Sequence, residues 1–248
     1  MKATEQVFTP ELQPDSRILK VTGEEHHHLA RVRRFHVGDR VWALNGLGLA
    51  AETELVAITR DQAELRILNF HPERGEPSRS IVLALSTLKG DHFNDAAEKC
   101  TELGMTGIIP LNCTHSVKQG VAAERLDRIL LTATKQCGRS RIPKRFERSM
   151  ATDELSKPFA GKTLFCHAAA ESIPIQHALG DGDPEDVRIF VGPEGGWAES
   201  EIDLAHQSGY TFAGLGSRRL RAETAAILAV GFVSSLQAFE PSTGTDQS

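Results

Sequence analysis

The sequence lacks the patterns that mark several common classes of protein. None of its 248 residues lies in an apolar run near the roughly 20 residues needed to span a membrane, which argues against a transmembrane protein. It contains neither a G-x-G-x-x-G nor a G-x-x-x-x-G-K-[ST] pattern, so neither a Rossmann dinucleotide site nor a phosphate-binding P-loop is predicted. Hydrophobic residues make up 40% and charged residues 25% of the chain, which is typical of a soluble globular protein.

Cysteine is scarce and shows no metal-binding spacing. The four cysteines form no C-x-x-C pair, which predicts reduced thiols and argues against a zinc knuckle; they are Cys100, Cys113, Cys137 and Cys166. His26–His28 are consecutive, but no Cys or carboxylate is spaced to complete a site, so we expect no bound metal. The opening stretch MKATEQVFTPELQPD has no apolar signal core, so we expect a cytoplasmic location.

Positive charge is in deficit overall but clustered locally. The chain has 28 Lys and Arg against 33 Asp and Glu, a net charge of -5, whereas phosphate binding depends on Lys and Arg. One cluster comprises Arg31, Arg33, Arg34 and Arg40. A second comprises Arg139, Arg141, Lys144, Arg145 and Arg148. Each cluster is consistent with RNA binding, and each is also consistent with an ordinary solvated surface.

The pattern along the chain predicts two domains. Short alternating strands with turn signals fill residues 1–72 and predict a small β-barrel, interrupted by one helix at Glu24–Arg34. Residues 73–80 are rich in Pro, Gly and charge and predict a linker. From residue 81 to 240, strands alternate with helices, which predicts an α/β domain with a mostly parallel sheet. Residues 241–248 are predicted to form a flexible tail.

Two glycine-containing stretches are the best candidates for a binding site. In IFVGPEGGW, Ile189–Trp197, an apolar strand runs into a loop with three glycines, where backbone amides can approach a ligand without an intervening Cβ. A second strand, Phe212–Leu215, ends in Gly216-Ser217 before a helix that opens near Arg221. Ligands of open α/β sheets bind at the carboxyl ends of adjacent strands, so we expect the two loops to meet.

These motifs resemble a known family. GPEGG followed by LGSRRLRAETA resembles the carboxy-terminal knot of the SPOUT-class RNA methyltransferases, and more narrowly the RsmE family. The segments KQCGRSRIP and HHLARVRRFHVGDRV resemble that family's RNA-side loop and its PUA-like amino-terminal domain. The resemblance implies a SPOUT-type α/β trefoil knot with a mostly parallel sheet, preceded by a PUA-like β-barrel. It also implies a homodimer that binds S-adenosylmethionine and methylates N3 of a specific uridine in the 16S rRNA of the small ribosomal subunit.

The resemblance also implies roles for individual residues. The expected cofactor-binding residues are His167, Gly192, Gly195, Gly196, Leu215, Gly216, Leu220 and Ala225. The expected RNA-binding residues are Arg31, Arg33, Arg34, Arg139, Arg141, Lys144 and Arg145. Arg221 and Arg139 are the expected catalytic residues, because an arginine near the base would stabilise negative charge on O2 and O4 of the uridine. The general base stays open between Glu223 and His167, and Lys135 stands where the family usually has a glutamate.

Two alternatives stay open at this point. The chain could be a SPOUT methyltransferase that acts on another RNA or another base atom. It could instead be a non-catalytic RNA-binding or ribosome-assembly factor with the same fold. Cofactor binding distinguishes the second alternative from an enzyme, because a pure binding module has no need of the glycine loop or of Arg221.

Overall fold

The computed structural model describes residues 5–117, 120–168, 172–180 and 186–236. The predicted tail, residues 241–248, lies outside the described residues. The strands are β1 (Gln6–Phe8), β2 (Ile18–Val21), β3 (Arg40–Leu44), β4 (Leu49–Ile58), β5 (Ala63–Pro72), β6 (Ser80–Ser86), β7 (Gly107–Asn112), β8 (Lys144–Arg145), β9 (Ser149–Met150), β10 (Lys162–Cys166), β11 (Ile173–Pro174), β12 (Asp186–Val191) and β13 (Thr211–Gly214). The helices are α1 (Gly23–His27), α2 (His92–Glu102), α3 (Ala123–Cys137), α4 (Ala151–Leu155), α5 (Ile175–Ala178), α6 (Glu199–Gln207) and α7 (Ala222–Ser235).

The amino-terminal strands form a five-stranded sheet in the order β1-β3-β4-β5-β2. β1 pairs with β3 in parallel and the other pairs are antiparallel. The register between β4 and β5 shifts twice, after Glu52 and after Leu55, and such irregularities bend and twist a sheet. Val7, Val41 and Leu65 belong to a cluster of buried apolar side chains that packs against this sheet. This curled sheet confirms the predicted PUA-like fold of this part of the chain.

The helix predicted at Glu24–Arg34 is shorter than expected. α1 ends at His27, and a π-helical turn follows from His28 to Val32. The amide of Arg33 donates to the carbonyl of His28, five residues earlier, at 3.0 Å. Arg34 then takes a positive φ of 53°, which ends the helical path. The basic cluster is therefore not on one helical face: Arg31 lies in the π-helical turn, Arg33 and Arg34 follow it, and Arg40 begins β3.

The remaining strands form a second sheet in which every pair is parallel. Its order is β11-β13-β10-β12-β6-β7-β8, and β9 also pairs with β7. β13, the last strand along the described chain, lies between β11 and β10 rather than at an edge. Parallel strands with helices between them confirm the predicted α/β class.

Helices cover both faces of this sheet. In β12, Ile189 and Val191 belong to a cluster with residues of α2, α3, α5 and α7, while Phe190 belongs to a cluster with residues of α4 and α6. Alternation of this kind follows from the two-residue period of a strand. Because both faces are covered, the carboxyl ends of the strands are the place where loops can form an open site.

The segment predicted as a linker is tightly bound to the loop that follows α3. The Glu76 carboxylate accepts hydrogen bonds from Nη2 of Arg139 at 2.7 Å and from the backbone amides of Ser140 and Arg141 at 2.9 and 2.7 Å. Nearby, Nζ of Lys135 donates to Glu25 at 2.6 Å, which connects α3 to α1. The domain limits at 1–72, 73–80 and 81–240 stay a prediction.

Candidate functional site

A cavity of about 470 Å³ lies at the carboxyl ends of β10, β12 and β13. Its walls come from the loops after these strands and from the start of α7. All eight residues predicted to bind the cofactor line it: His167, Gly192, Gly195, Gly196, Leu215, Gly216, Leu220 and Ala225. Arg221 lines it too. The fold therefore brings together two stretches that are separated by some twenty residues in the sequence.

Two glycines leave open space beside the cavity. Gly196 has a φ of +79° and Gly216 a φ of +104°, conformations that L side chains rarely adopt. No heavy atom lies within 4 Å of the position that a Cβ would take at either glycine. A ligand can therefore approach the backbone of both loops directly.

The other two glycines of the first loop allow close packing within the protein. A Cβ on Gly192 would lie 2.7 Å from Cε2 of Trp197, and a Cβ on Gly195 would lie 2.9 Å from Cβ of His115. Both separations are below any ordinary carbon contact. Gly192 thus makes room for Trp197, and Gly195 makes room for the loop after β7.

Trp197 supports the cavity from inside the protein. Its indole Nε1 donates to the carbonyl oxygen of Cys166 at 3.1 Å, and its ring stacks on Phe165 with centroids 4.5 Å apart. Burial raises the pKa of the Cys166 thiol to about 12, so this cysteine is neutral and unreactive at neutral pH. Cys166 is part of the wall rather than a nucleophile.

Glu201 and His115 hold the first loop in place. Glu201 is 1% exposed; its Oε2 accepts from the Ala198 amide at the start of α6, and its Oε1 accepts from the Thr114 amide, both at 2.8 Å. Nδ1 of His115 lies 3.2 Å from the carbonyl oxygen of Gly196, to which it donates. Sequence reasoning missed both. The spacing of Glu201 three residues after the helix start is the signal that would have found it, because a glutamate there returns to the first amide of a helix.

The mouth of the cavity is rich in arginine. Arg218, Arg219 and Arg221 line it and are exposed. Nη1 of Arg221 lies 4.0 Å from the Glu223 carboxylate, which also lies 3.5 Å from Nδ1 of His92. Arg218 and Arg219 were not singled out from the sequence, although they lie inside the motif that was.

The assignment of Arg139 to the reacting base and to RNA is wrong in this structure. Its side chain is 2% exposed and paired with the buried Glu76 carboxylate at 2.7 Å. Nη1 donates to the carbonyls of Thr101 and Met105 at 2.9 and 2.7 Å. The guanidinium is thus enclosed between the end of α2 and the Glu76 segment and is not free to bind a nucleotide.

The other predicted RNA-binding residues divide by their partners. Three are paired with carboxylates: Arg33 with Glu5, Arg141 with Glu73, and Arg145 with Asp127. The side chain of Lys144 lies over the Phe146 ring at 4.6 Å and is exposed. Arg31 and Arg34 are exposed as well. The structure therefore separates cations that are already neutralised from those with charge available at the surface.

No group of three or more His, Cys, Asp or Glu side chains within the described ranges is arranged to hold a metal ion. The predicted absence of a metal stays a prediction. Of the three consecutive histidines, His26 is buried with its Nε2 at 3.2 Å from the Thr59 carbonyl oxygen, and His28 bonds Glu5 at 2.7 Å. Likewise, within the part of the chain that the structure describes, no helix is both long and apolar enough to cross a membrane.

Two family models match the chain. Residues 75–234 match an RNA methyltransferase domain, and residues 21–68 match an RNA methyltransferase PUA domain. The first match covers the whole cavity and the second covers most of the curled sheet. Both agree with the division between the two sheets.

Individual proteins of known sequence or structure are similar over nearly the whole chain. A ribosomal RNA small subunit methyltransferase E of Bacillus subtilis is 30% identical over 237 residues, covering 86% of this chain and 88% of that protein. A methyltransferase of Legionella pneumophila, solved with its bound cofactor SAM, is 26% identical with a TM-score of 0.80, covering 94% and 98% of the two chains. A ribosomal RNA small subunit methyltransferase E of Neisseria gonorrhoeae, 24% identical with a TM-score of 0.82 over 95% and 98%, shows the same fold.

Proposed function

The chain belongs to the RNA methyltransferase family, and from that premise we propose that it transfers a methyl group from S-adenosylmethionine to N3 of a specific uridine in small-subunit ribosomal RNA. The observation that carries the proposal is the cavity at the strand ends, where the glycine loop, the second loop and the start of α7 meet. The curled amino-terminal sheet adds an exposed arginine surface that suits an RNA partner.

The residues around the cavity fit S-adenosylmethionine. Open space beside Gly196 and Gly216 leaves backbone groups accessible for hydrogen bonds to the polar parts of the cofactor. Leu215, Leu220 and Ala225 offer apolar surface of the kind that accepts a purine ring. Similar support comes from the Legionella pneumophila structure, which holds this cofactor in the same fold. When bound, the cofactor supplies a methyl group activated by a sulfonium.

The substrate follows from relatives and from the chemistry of the site. The Bacillus subtilis relative is named for methylation of small-subunit ribosomal RNA, and the resemblance to the RsmE family specifies uridine N3. This nitrogen carries a proton that has to leave, and negative charge then spreads onto O2 and O4. We propose that Arg221, which is 77% exposed at the cavity, donates to this developing charge.

Glu223 and His167 are the candidates to receive the N3 proton. His167 lines the cavity. The Glu223 carboxylate lies 4.0 Å from Nη1 of Arg221, which lines the cavity, and 3.5 Å from Nδ1 of His92. Whichever of the two residues is the base, the Glu223 carboxylate also attracts the Arg221 guanidinium and so helps to position it. A fall of kcat with unchanged substrate affinity in Glu223→Gln, but not in His167→Ala, would assign the base to Glu223; the reverse would assign it to His167.

The proposed partners are small-subunit ribosomal RNA and a second copy of the chain. Arg31, Arg34 and Lys144 are the predicted RNA contacts that stay exposed, and we keep them in that role. Arg33, Arg141 and Arg145 would have to exchange a carboxylate for a phosphate. Because ribosomal subunits are made in the cytoplasm, we also propose that location.

The test is methyl transfer in vitro. Purified protein is incubated with methyl-labelled S-adenosylmethionine and small-subunit ribosomal RNA from a strain that lacks the gene, and the RNA is then digested to nucleosides. The expected result is label in 3-methyluridine alone, lost with Arg221→Ala. Label in another nucleoside would contradict the N3 assignment. Failure of the protein to bind S-adenosylmethionine would contradict the proposal that it is a methyltransferase that uses this cofactor.

A further inference from the structure

The structure leaves two arginines at the cavity mouth without a described carboxylate partner. Arg218 forms no ion pair among the described residues, and Nη2 of Arg219 makes only a 3.5 Å hydrogen bond to the backbone carbonyl of Glu194. Both side chains line the cavity and are exposed. Their charges are therefore available both to solvent and to a molecule that enters the cavity.

The arginines of the predicted RNA loop differ from Arg218 and Arg219, because they already have carboxylate partners. In the segment after α3, Arg139, Arg141 and Arg145 each pair with a carboxylate. A guanidinium that is already paired must exchange its carboxylate for a phosphate, which costs about 0–1 kcal/mol for an exposed pair and more for the buried pair of Arg139. Arg218 and Arg219, on the loop between β13 and α7, line the cavity and have no carboxylate partner among the described residues.

We propose that Arg218 and Arg219 form a phosphate clamp that binds the RNA backbone on either side of the target nucleotide. This inference rests on the proposed function. The planar guanidinium presents paired N–H donors that match phosphate oxygens. The hydrogen bond from Arg219 to Glu194 also directs its side chain across the glycine loop. The clamp holds the strand at the cavity mouth, while Arg221 acts on the base.

The position of the clamp explains how an acidic protein binds RNA at its active site. The net charge of the chain is -5, so long-range attraction of phosphate by the whole molecule is weak. Three arginines within four positions line one cavity, against one glutamate, Glu194, in the same lining, so the local charge there is positive. Binding at this point brings the nucleotide close to the cofactor site, which serves transfer through proximity.

The experiment compares Arg218→Ala and Arg219→Ala with Lys162→Ala. Lys162 begins β10, whose last residue, Cys166, lines the cavity. The control removes one positive charge at the opposite end of the same strand. Affinity for small-subunit ribosomal RNA is measured over a salt series, and affinity for S-adenosylmethionine is measured by calorimetry. Arg218→Lys tests whether charge alone suffices.

Each arginine variant is expected to weaken RNA binding about tenfold and to reduce the log–log salt slope by about 0.7, as for one lost contact with a single strand. S-adenosylmethionine affinity stays at the wild-type value. Arg218→Lys keeps the salt slope but loses part of the RNA affinity, since the lysine ammonium lacks the paired N–H donors of a guanidinium. Lys162→Ala matches the wild type in all three measurements.

Two results would overturn the clamp. One is a salt slope in both arginine variants equal to that of Lys162→Ala. The other is loss of S-adenosylmethionine affinity with RNA binding intact, which would assign these arginines to the cofactor carboxylate. Failure of the proposed function is a separate result: a wild-type protein that transfers no methyl group to RNA refutes the function, while the salt slopes still decide whether the clamp exists.

Discussion

Gly216 shows how a single backbone conformation shapes the cavity. Its φ of +104° is unfavourable for any residue with a Cβ, yet no atom lies within 4 Å of where that Cβ would be. Gly209, in the turn between α6 and β13, has the same two properties, with a φ of +69°. Both glycines combine a positive φ with open space, although the φ of Gly209 lies in the ordinary left-handed region and that of Gly216 lies beyond it. Gly209 therefore serves as a control that is remote from the cavity.

We predict that Gly216→Ala and Gly209→Ala each cost about 1–2 kcal/mol of stability. Only Gly216→Ala should weaken S-adenosylmethionine binding, by about tenfold if the strain is relieved by moving the loop. Urea denaturation and calorimetric titration measure the two quantities. Equal cofactor affinity in both variants would mean that the second loop does not contact the cofactor.

Arg139 illustrates a residue whose role the sequence could not predict. Its surroundings in the sequence, RSRIPKR, are those of a solvated basic loop, whereas its partner, Glu76, lies 63 positions earlier. By contrast, the expectation of positive φ and open backbone holds at Gly196 and Gly216, because such conformations depend on the local sequence; the role of these glycines in cofactor binding stays a prediction. Long-range pairing of one charge with another leaves no local signature.

We predict that Arg139→Ala destabilises the protein by about 3–5 kcal/mol, because it leaves the Glu76 carboxylate buried without its cation. Arg145→Ala is the control: its pair with Asp127 is partly exposed, and such pairs contribute about 0–1 kcal/mol. Urea denaturation gives both values. An Arg139→Ala protein of wild-type stability that has lost methyl transfer would return Arg139 to the active site.

At the scale of elements, the helix that follows the glycine loop is anchored by a carboxylate instead of the usual side-chain cap. Ala198 precedes α6 and has no side-chain acceptor for the first amides of the helix, whereas the Glu201 carboxylate accepts from the Ala198 amide. The same carboxylate binds the amide and the hydroxyl of Thr114. One buried side chain thus fixes the glycine loop against the loop after β7. Sequence analysis identified both strands but not this connection, because Thr114 and Glu201 are 87 positions apart.

We predict that Glu201→Ala lowers stability by about 2–4 kcal/mol, since two buried amides lose a charged acceptor. Cofactor affinity should fall as well, because the glycine loop is no longer held. Glu199 is exposed and lies two residues before Glu201, so Glu199→Ala should change neither the stability nor the cofactor affinity. Thermal denaturation with and without S-adenosylmethionine measures both effects, and a Glu201→Ala protein with unchanged cofactor affinity would show that the loop is rigid without this anchor.

At the scale of the whole molecule, several apolar residues near the carboxy-terminal helix are exposed, and we propose that they contact a second copy of the chain. Leu228 lies on α7 and is 41% exposed, Leu236 directly follows that helix and is 46% exposed, and Ile173 at the start of β11 is 41% exposed. α7 also forms part of the cavity through Ala222 and Ala225. The homodimer was predicted from the resemblance to a family of homodimers. The apolar periodicity of α7 alone predicts only a helix that packs in the core.

We predict that the protein sediments as a dimer at micromolar concentration and that Leu228→Glu shifts it towards monomer, because a charge would then be buried in the interface. Leu47→Glu is the control, since Leu47 is 72% exposed in the barrel hairpin. Sedimentation velocity distinguishes the species. A wild-type monomer with full methyl-transfer activity would contradict the dimer.

The central claim, methylation of uridine N3 in small-subunit ribosomal RNA, is tested most directly in cells. Small-subunit ribosomal RNA is purified from the source strain and from one that lacks the gene, and 3-methyluridine is mapped and quantified by mass spectrometry. The account predicts one modified uridine in the first strain, none at that position in the second, and restoration by the wild-type gene but not by Arg221→Ala. An unchanged amount of 3-methyluridine in the strain that lacks the gene would contradict it.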